Sequence, residues 1–303
     1  MAVYVVGDFL RETRMRKGYT QEEVSYGICT SASLSRIENG MQKPGRLILE
    51  KLFERLGTEN NLFNTFVSRE EMELYSAIQS LIRDITDADV VKLEEHIELV
   101  EKMAKDASEL EHQCLYFAKG ELARQKEKDI AKAMQLYMKA IKITLPDFDG
   151  KRPLRSNLLT FDEIMIINSI AILYGNNENL IMAIQLEMWL KEYMENKIVD
   201  GKMKTAKYPM IVYNLSCWFE DKECYKEELN IANQGIEFCI KYGNLALFPK
   251  LILNKGVALA KLEDDENARK YIHQAITIFE AMNRLEIVQQ ITTWCKNNCR
   301  FEI

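Results

Sequence analysis

The chain has 303 residues, 47% of them hydrophobic and 28% charged, enough apolar material for a large core beneath an ordinary polar surface. No apolar run approaches the roughly 18 residues of a membrane span, and the start MAVYVVGDFLRE has no basic stretch followed by an apolar one, so neither a transmembrane helix nor a signal peptide is expected. The net charge of −6 is divided unevenly: residues 1–56 hold nine Lys and Arg against seven Asp and Glu, while the remainder carries a net of −8. An acidic body repels nucleic acid and leaves only the small N-terminal part able to approach it. Seven cysteines without framework spacing point to reduced thiols in a cytoplasm.

Asp8 to Arg16 reads as a first helix, with Phe9 and Leu10 apolar. Thr20 then caps a second helix, with Glu23 placed three residues on to complete a capping box. Val24 and Ile28 form its apolar stripe, and Gly27, Ile28 and Cys29 supply a turn. Ser31 to Asn39 is the next helix, with Leu34 and Ile37 inward and Gly40 as its stop. Two short helices joined by a tight turn, the second polar on its outer face, form the arrangement that lays a helix in the major groove of DNA. Arg46 to Leu56 closes this segment with Leu49, Leu52, Phe53 and Leu56 on one face.

From about Ser68 onward apolar residues recur at three- and four-residue spacing, and no strand is predicted. The spacing predicts helices over 69–85, 89–105, 109–126, 129–144, 161–175, 178–196, 206–220, 225–242, 246–262, 264–282 and 284–298. Gly256, Leu259, Ala268, Ile272 and Ala275 follow the intervals at which two helices of a tetratricopeptide repeat cross closely. The same intervals give Ala171, Tyr174, Ala183, Glu187 and Leu190, and again Ser216, Phe219, Glu228, Ala232 and Gly235. Gly120, Ala123, Ala133, Tyr137 and Ala140 fit with one inserted residue. The last helix is expected to cap the array, with Ile291 and Trp294 inward. The expected fold is therefore all-α: a helix-turn-helix domain over 1–66, then a repeat domain over 67–303 that stacks into a right-handed superhelix with a concave inner surface.

At Thr20-Gln21-Glu22-Glu23-Val24, Leu34-Ser35-Arg36-Ile37-Glu38-Asn39-Gly40, Pro44 and Leu56-Gly57 the chain resembles the Cro/repressor-like (XRE-type) DNA-binding domain. Its turn looks one residue shorter than in phage repressors, which shifts the register of the recognition helix. With the repeats, and with the segments Tyr213 to Cys239 and Ile167 to Leu190, the whole chain resembles the RRNPP group of peptide-responsive regulators, nearest its PlcR-like and Rgg-like branches. That resemblance implies a homodimeric transcription factor in quorum sensing, whose repeats bind a short signalling peptide and whose heads bind a double-stranded DNA operator. No enzyme activity, cofactor or membrane partner is expected.

In the head, Ser31, Ala32, Ser33, Ser35 and Arg36 are the outward residues of the recognition helix. Arg36 alone has the reach and fork for guanine, and it equally suits a phosphate. The resemblance implies a phosphate contact at Gln21, and Lys43 and Arg46 lie where they can meet the backbone. Arg14 and Glu38 are expected to form an internal ion pair, as in repressor-like domains. In the body, Asn168, Asn214 and Asn254 occupy matching repeat positions, where an amide side chain can satisfy a peptide backbone. Tyr174, Tyr213, Lys207, Lys250 and Lys255 share those faces, as tyrosine pockets and as lysines for a C-terminal carboxylate. Taken singly each is an ordinary solvated residue, and it is the repetition that favours a groove.

His96, His112 and His273 lack metal-ligand spacing. Cys295 and Cys299 share a helical face better suited to packing than to a metal. No phosphate-binding Gly-rich loop or nucleophile elbow is present, so the sequence offers no catalytic site. Two other readings remain: a regulator whose repeats bind a protein, and an adaptor acting on a phosphotransfer protein through Glu71, Glu73 and Gln79.

Overall fold

The computed structural model describes residues 6–58, 69–103, 108–151, 158–177, 179–197 and 201–300. Among them every regular element is helical. The chain divides into two units, Met1–Leu173 with Asn196–Asp200 and Tyr174–Glu195 with Gly201–Ile303.

The first unit begins with the head, α1 (Val6–Arg16), α2 (Gln21–Ser25), α3 (Ser31–Glu38) and α4 (Arg46–Arg55). The capping box at α2 is formed, with Thr20 Oγ1 accepting from the Glu23 amide and the Glu23 carboxylate accepting from the Thr20 amide. Leu10, Val24, Leu34, Ile37, Leu52 and Phe53 make the core beneath these helices, joined by Leu110 and Leu158 from the following segment. The unit continues as α5 (Arg69–Asp87), α6 (Val90–Met103), α7 (Glu109–Leu122), α8 (Ile130–Thr144) and α9 (Phe161–Asn176). Consecutive helices pack in pairs, α5 on α6 and α7 on α8. The residue inserted into the first repeat is absorbed by a π-helical turn at Ala123–Glu127, before Lys128 turns the chain at φ 58°.

Charge ties the head to the start of α9. Arg55 Nη2 lies 2.7 Å from Glu163 Oε1, both side chains wholly buried, and Arg55 also donates to the carbonyl of Tyr26. Lys51 Nζ lies 2.9 Å from Asp162 and 3.2 Å from Glu54, whose other oxygen accepts from the Phe161 amide. Burial, offset in part by Lys51, pushes the Glu54 carboxyl up to about 8. The turn after α2 fits as closely: a Cβ on Gly27, whose φ is +69°, would stand 2.1 Å from the Thr144 carbonyl oxygen. Tyr26 donates to Asp147 beside it at 2.7 Å.

The second unit holds α10 (Leu180–Asn196), α11 (Gly201–Asp221), α12 (Tyr225–Tyr242), α13 (Phe248–Lys261), α14 (Asp265–Ala281) and α15 (Leu285–Asn298). α11 begins five residues before the start that the periodicity gives, and Pro209 lies inside it. A proline has no N–H for the carbonyl four residues back, which here belongs to Thr205. Asn244 Nδ2 donates to that carbonyl at 2.7 Å and replaces the missing bond. The close helix crossing read from the repeat is real at Gly256, where a Cβ would stand 2.6 Å from Ile272 Cγ1. Ile291 is buried and Trp294 half-buried on α15, packed with Ile272, Ala275 and Phe279.

Candidate functional site

The head presents α3 as its polar face. Thr30 caps it by accepting from the Ser33 amide at 3.0 Å, and Leu34, Ile37 and Glu38 turn inward. Ser31, Ala32 and Arg36 are exposed, and Ser33 and Ser35 are half-buried. The inward side is cross-linked: Arg14 donates to both oxygens of Glu38, at 2.7 and 2.8 Å. Such a forked pair on a carboxylate that is 1% exposed holds α1 to α3 more firmly than a surface pair does. Gln21 Nε2 donates to the same carboxylate at 2.7 Å, so this side chain braces the recognition helix from within. Lys43 is exposed beyond α3.

Arg46 sits differently from the outward position that its sequence neighbours suggest. It is 7% exposed, with its guanidinium 5.4 Å from the centre of the Tyr75 ring on α5, and its amide donates to Glu71. Glu71 is thereby engaged, and Glu73 pairs with Arg69.

Among the body residues, Asn168 lies in the first unit and is 2% exposed. In the second, Asn214 Nδ2 donates to Glu187 at 3.2 Å, and Asn254 Nδ2 donates to Ser216 Oγ at 2.6 Å. These amides join neighbouring helices of the array. Tyr174 is half-buried, and Lys207 is 4% exposed, where burial lowers its pKa to about 8. Lys255 lies 3.9 Å from the centre of the Tyr271 ring.

A cavity of about 450 Å³ brings together Tyr213, Lys250 and Asn254. Lys250 Nζ stands 5.3 Å from the centre of the Tyr213 ring. Its wall also contains Glu220, Leu253, Val257, Phe279, Ile287, Gln290, Ile291 and Trp294, which sequence reading did not assign to a ligand. Their signal was helical spacing: Tyr213 with Glu220, Lys250 with Asn254 and Val257, and Ile287 with Ile291 and Trp294 each share one helix face. Aromatic and aliphatic walls with a few polar groups suit an apolar ligand held in one orientation.

Two carboxylates fill repeat positions that ordinarily take small or apolar residues. Burial pushes the Glu187 carboxyl well above its usual range, and that of Glu228 up to about 9. Neither Glu228 oxygen has a hydrogen-bond partner among the described residues. Cys295 is a buried free thiol, Cys299 is a half-buried one, and among the described residues no cluster of His, Cys, Asp and Glu could hold a metal. No helix of the described residues is long and apolar enough to cross a membrane.

A helix-turn-helix family model matches residues 10–59, and the model of the RNPP family C-terminal domain matches 151–299. The uncharacterized HTH-type transcriptional regulator YqaF of Bacillus subtilis (strain 168) is 36% identical over 63 residues, 20% of this chain and 83% of that protein. Bacillus thuringiensis PlcR in complex with the peptide PapR7 and DNA is 19% identical, with a TM-score of 0.60 over 95% of this chain and 98% of that one. The apo form of the competence regulator ComR from Streptococcus vestibularis is 15% identical, with a TM-score of 0.50 over 97% and 98%. At these identities the two structures share a fold with this chain.

Proposed function

Because the chain belongs to the helix-turn-helix transcriptional regulators and carries the C-terminal domain of the RNPP family, we propose that a short signalling peptide, bound in the helical repeats, controls its hold on DNA. The regulator works by binding, not by catalysis. The observation that carries the peptide reading is the cavity in the second unit, with apolar walls, an amide and a lysine at one place. The complex of PlcR with a peptide and DNA supports the same reading for a chain of like fold.

In this account Ser31, Ala32, Ser33, Ser35 and Arg36 meet base edges or the adjoining phosphates. Lys43 and the main-chain N–H of Gln21 hold the DNA backbone. The protein acts in the cytoplasm as a homodimer, since one head of net charge +2 neutralises few phosphates and two heads can read paired half-sites. Peptide binding shifts DNA affinity only if the peptide prefers one arrangement of the chain over another.

The test is anisotropy titration on the promoter upstream of the protein's own gene, with and without synthetic fragments of a short secreted peptide encoded next to it. Tight, salt-dependent binding that one peptide shifts severalfold is expected. Tight binding that no peptide alters would favour a protein partner, and the absence of binding at any salt would overturn the assignment.

A further inference from the structure

The cavity of the second unit has two electrically different ends. Lys250 lies over Tyr213, and one turn further along both helices Asn254 bonds to Ser216. α11 and α13 therefore advance in the same direction along the cavity, and the next turn brings Glu220 level with Val257, both of which line it. Seven residues on each helix are two turns, so the positions of Lys250 and Glu220 are offset by roughly 10 Å along the helix axes. Leu253, Phe279, Ile291 and Trp294 are further lining groups of the same cavity.

The Glu220 end is acidic, with Lys261 as its opposing cation. The Glu220 carboxyl has no hydrogen bond or ion pair among the described residues, and burial and Asp221 raise its pKa, with Lys261 opposing them. Glu228, fully buried, feels the same two neighbours and Glu220 itself. Lys261 opposes both shifts, and it also lies 5.7 Å from the centre of the Trp294 ring and bonds to Asn298. A ligand cation entering here would meet the Glu220 carboxyl, which lines the cavity and to which no side chain among the described residues is bonded.

We propose that this cavity takes about three extended residues of a peptide, with a carboxylate at the Lys250 end, an apolar or aromatic side chain between the walls and a cationic group at Glu220. The proposal rests on the peptide-sensing reading and adds a polarity to it. The cation is a lysine or arginine side chain or a free N-terminal amine.

Calorimetric titration of the intact chain tests it with four probes: acetyl-Lys-Leu-Phe, acetyl-Gln-Leu-Phe, free Gln-Leu-Phe and acetyl-Lys-Leu-Phe amide. The lysine probe is expected to bind at least about tenfold more tightly than its acetylated glutamine counterpart, the effect of one charge-assisted hydrogen bond. Glu220→Gln should erase that preference. Amidation should weaken the lysine probe, and Lys250→Met should remove this sensitivity. Tighter binding of free than of acetylated Gln-Leu-Phe assigns the cation to a peptide N-terminus and also supports the subsite. Equal binding of all four probes, or no binding at millimolar concentration, overturns the subsite and leaves peptide sensing to the DNA titration. A lysine preference without any peptide effect on DNA would instead overturn sensing while the subsite stands.

Discussion

The head and the repeats distribute their polar residues in opposite ways. In the head, the inward polar groups are paired with one another, Arg14 and Gln21 on Glu38, and the outward ones on α3 point to solvent. In the repeats, amides that share a register join helices, as Asn214 does with Glu187 and Asn254 with Ser216. A rigid, internally satisfied scaffold lets a short helix offer its outer face to DNA. A stack of helices uses matched polar positions first to hold neighbours together, and only the residues around a remaining gap are open to a ligand.

The sharpest way to break this contrast is at the buried charges of the first unit. Arg55→Ala leaves Glu163 buried without its cation and should cost about 3–5 kcal/mol in urea unfolding. Arg36→Ala, on the exposed face, should leave stability within about 0.5 kcal/mol of the parent. It should weaken operator binding by about 1–3 kcal/mol, read by anisotropy. If the two variants exchanged effects, the division between scaffold and reading face would be wrong. Asn254→Ala should cost about 1 kcal/mol from the lost bond to Ser216, and should also weaken any ligand of the cavity that it lines.

The buried carboxyl of Glu228 gives a subtler test. Its folded pKa is raised from 4.5 to about 9, so the stability gained by keeping it protonated is complete below pH 4.5 and is lost as pH rises toward about 9. Glu228→Gln should therefore flatten this part of the stability profile and favour the variant over the parent at mildly alkaline pH. Urea unfolding at about pH 5 and about pH 8 measures it, and parallel profiles would contradict it.

Much of this was legible in the sequence, and the gaps have physical causes. Helical periodicity located the helices because each buries one stripe, and the Thr20–Glu23 box and the Arg14–Glu38 pair follow from local chemistry and from the resemblance. The start of α11 was missed because Pro209 frees the Thr205 carbonyl, and the Asn244 side chain that satisfies it lies far along the chain. Arg46 read as a DNA contact because it is a cation just past α3, and its aromatic partner, Tyr75, comes 29 residues later. Repetition singled out Asn214 and Asn254 without telling a ligand contact from a bond between helices. Glu220 escaped notice because a lone carboxylate near a helix end looks like solvated surface until Val257 and Trp294 are set around it.

The claim that one ligand site and one DNA site are coupled is tested most directly by reciprocity. The peptide that shifts DNA affinity should be titrated into the free protein and into the protein saturated with operator. Coupling predicts that its affinity changes by the same severalfold factor as the DNA affinity does, in the same direction. Identical peptide affinities in the two titrations would contradict peptide control of DNA binding.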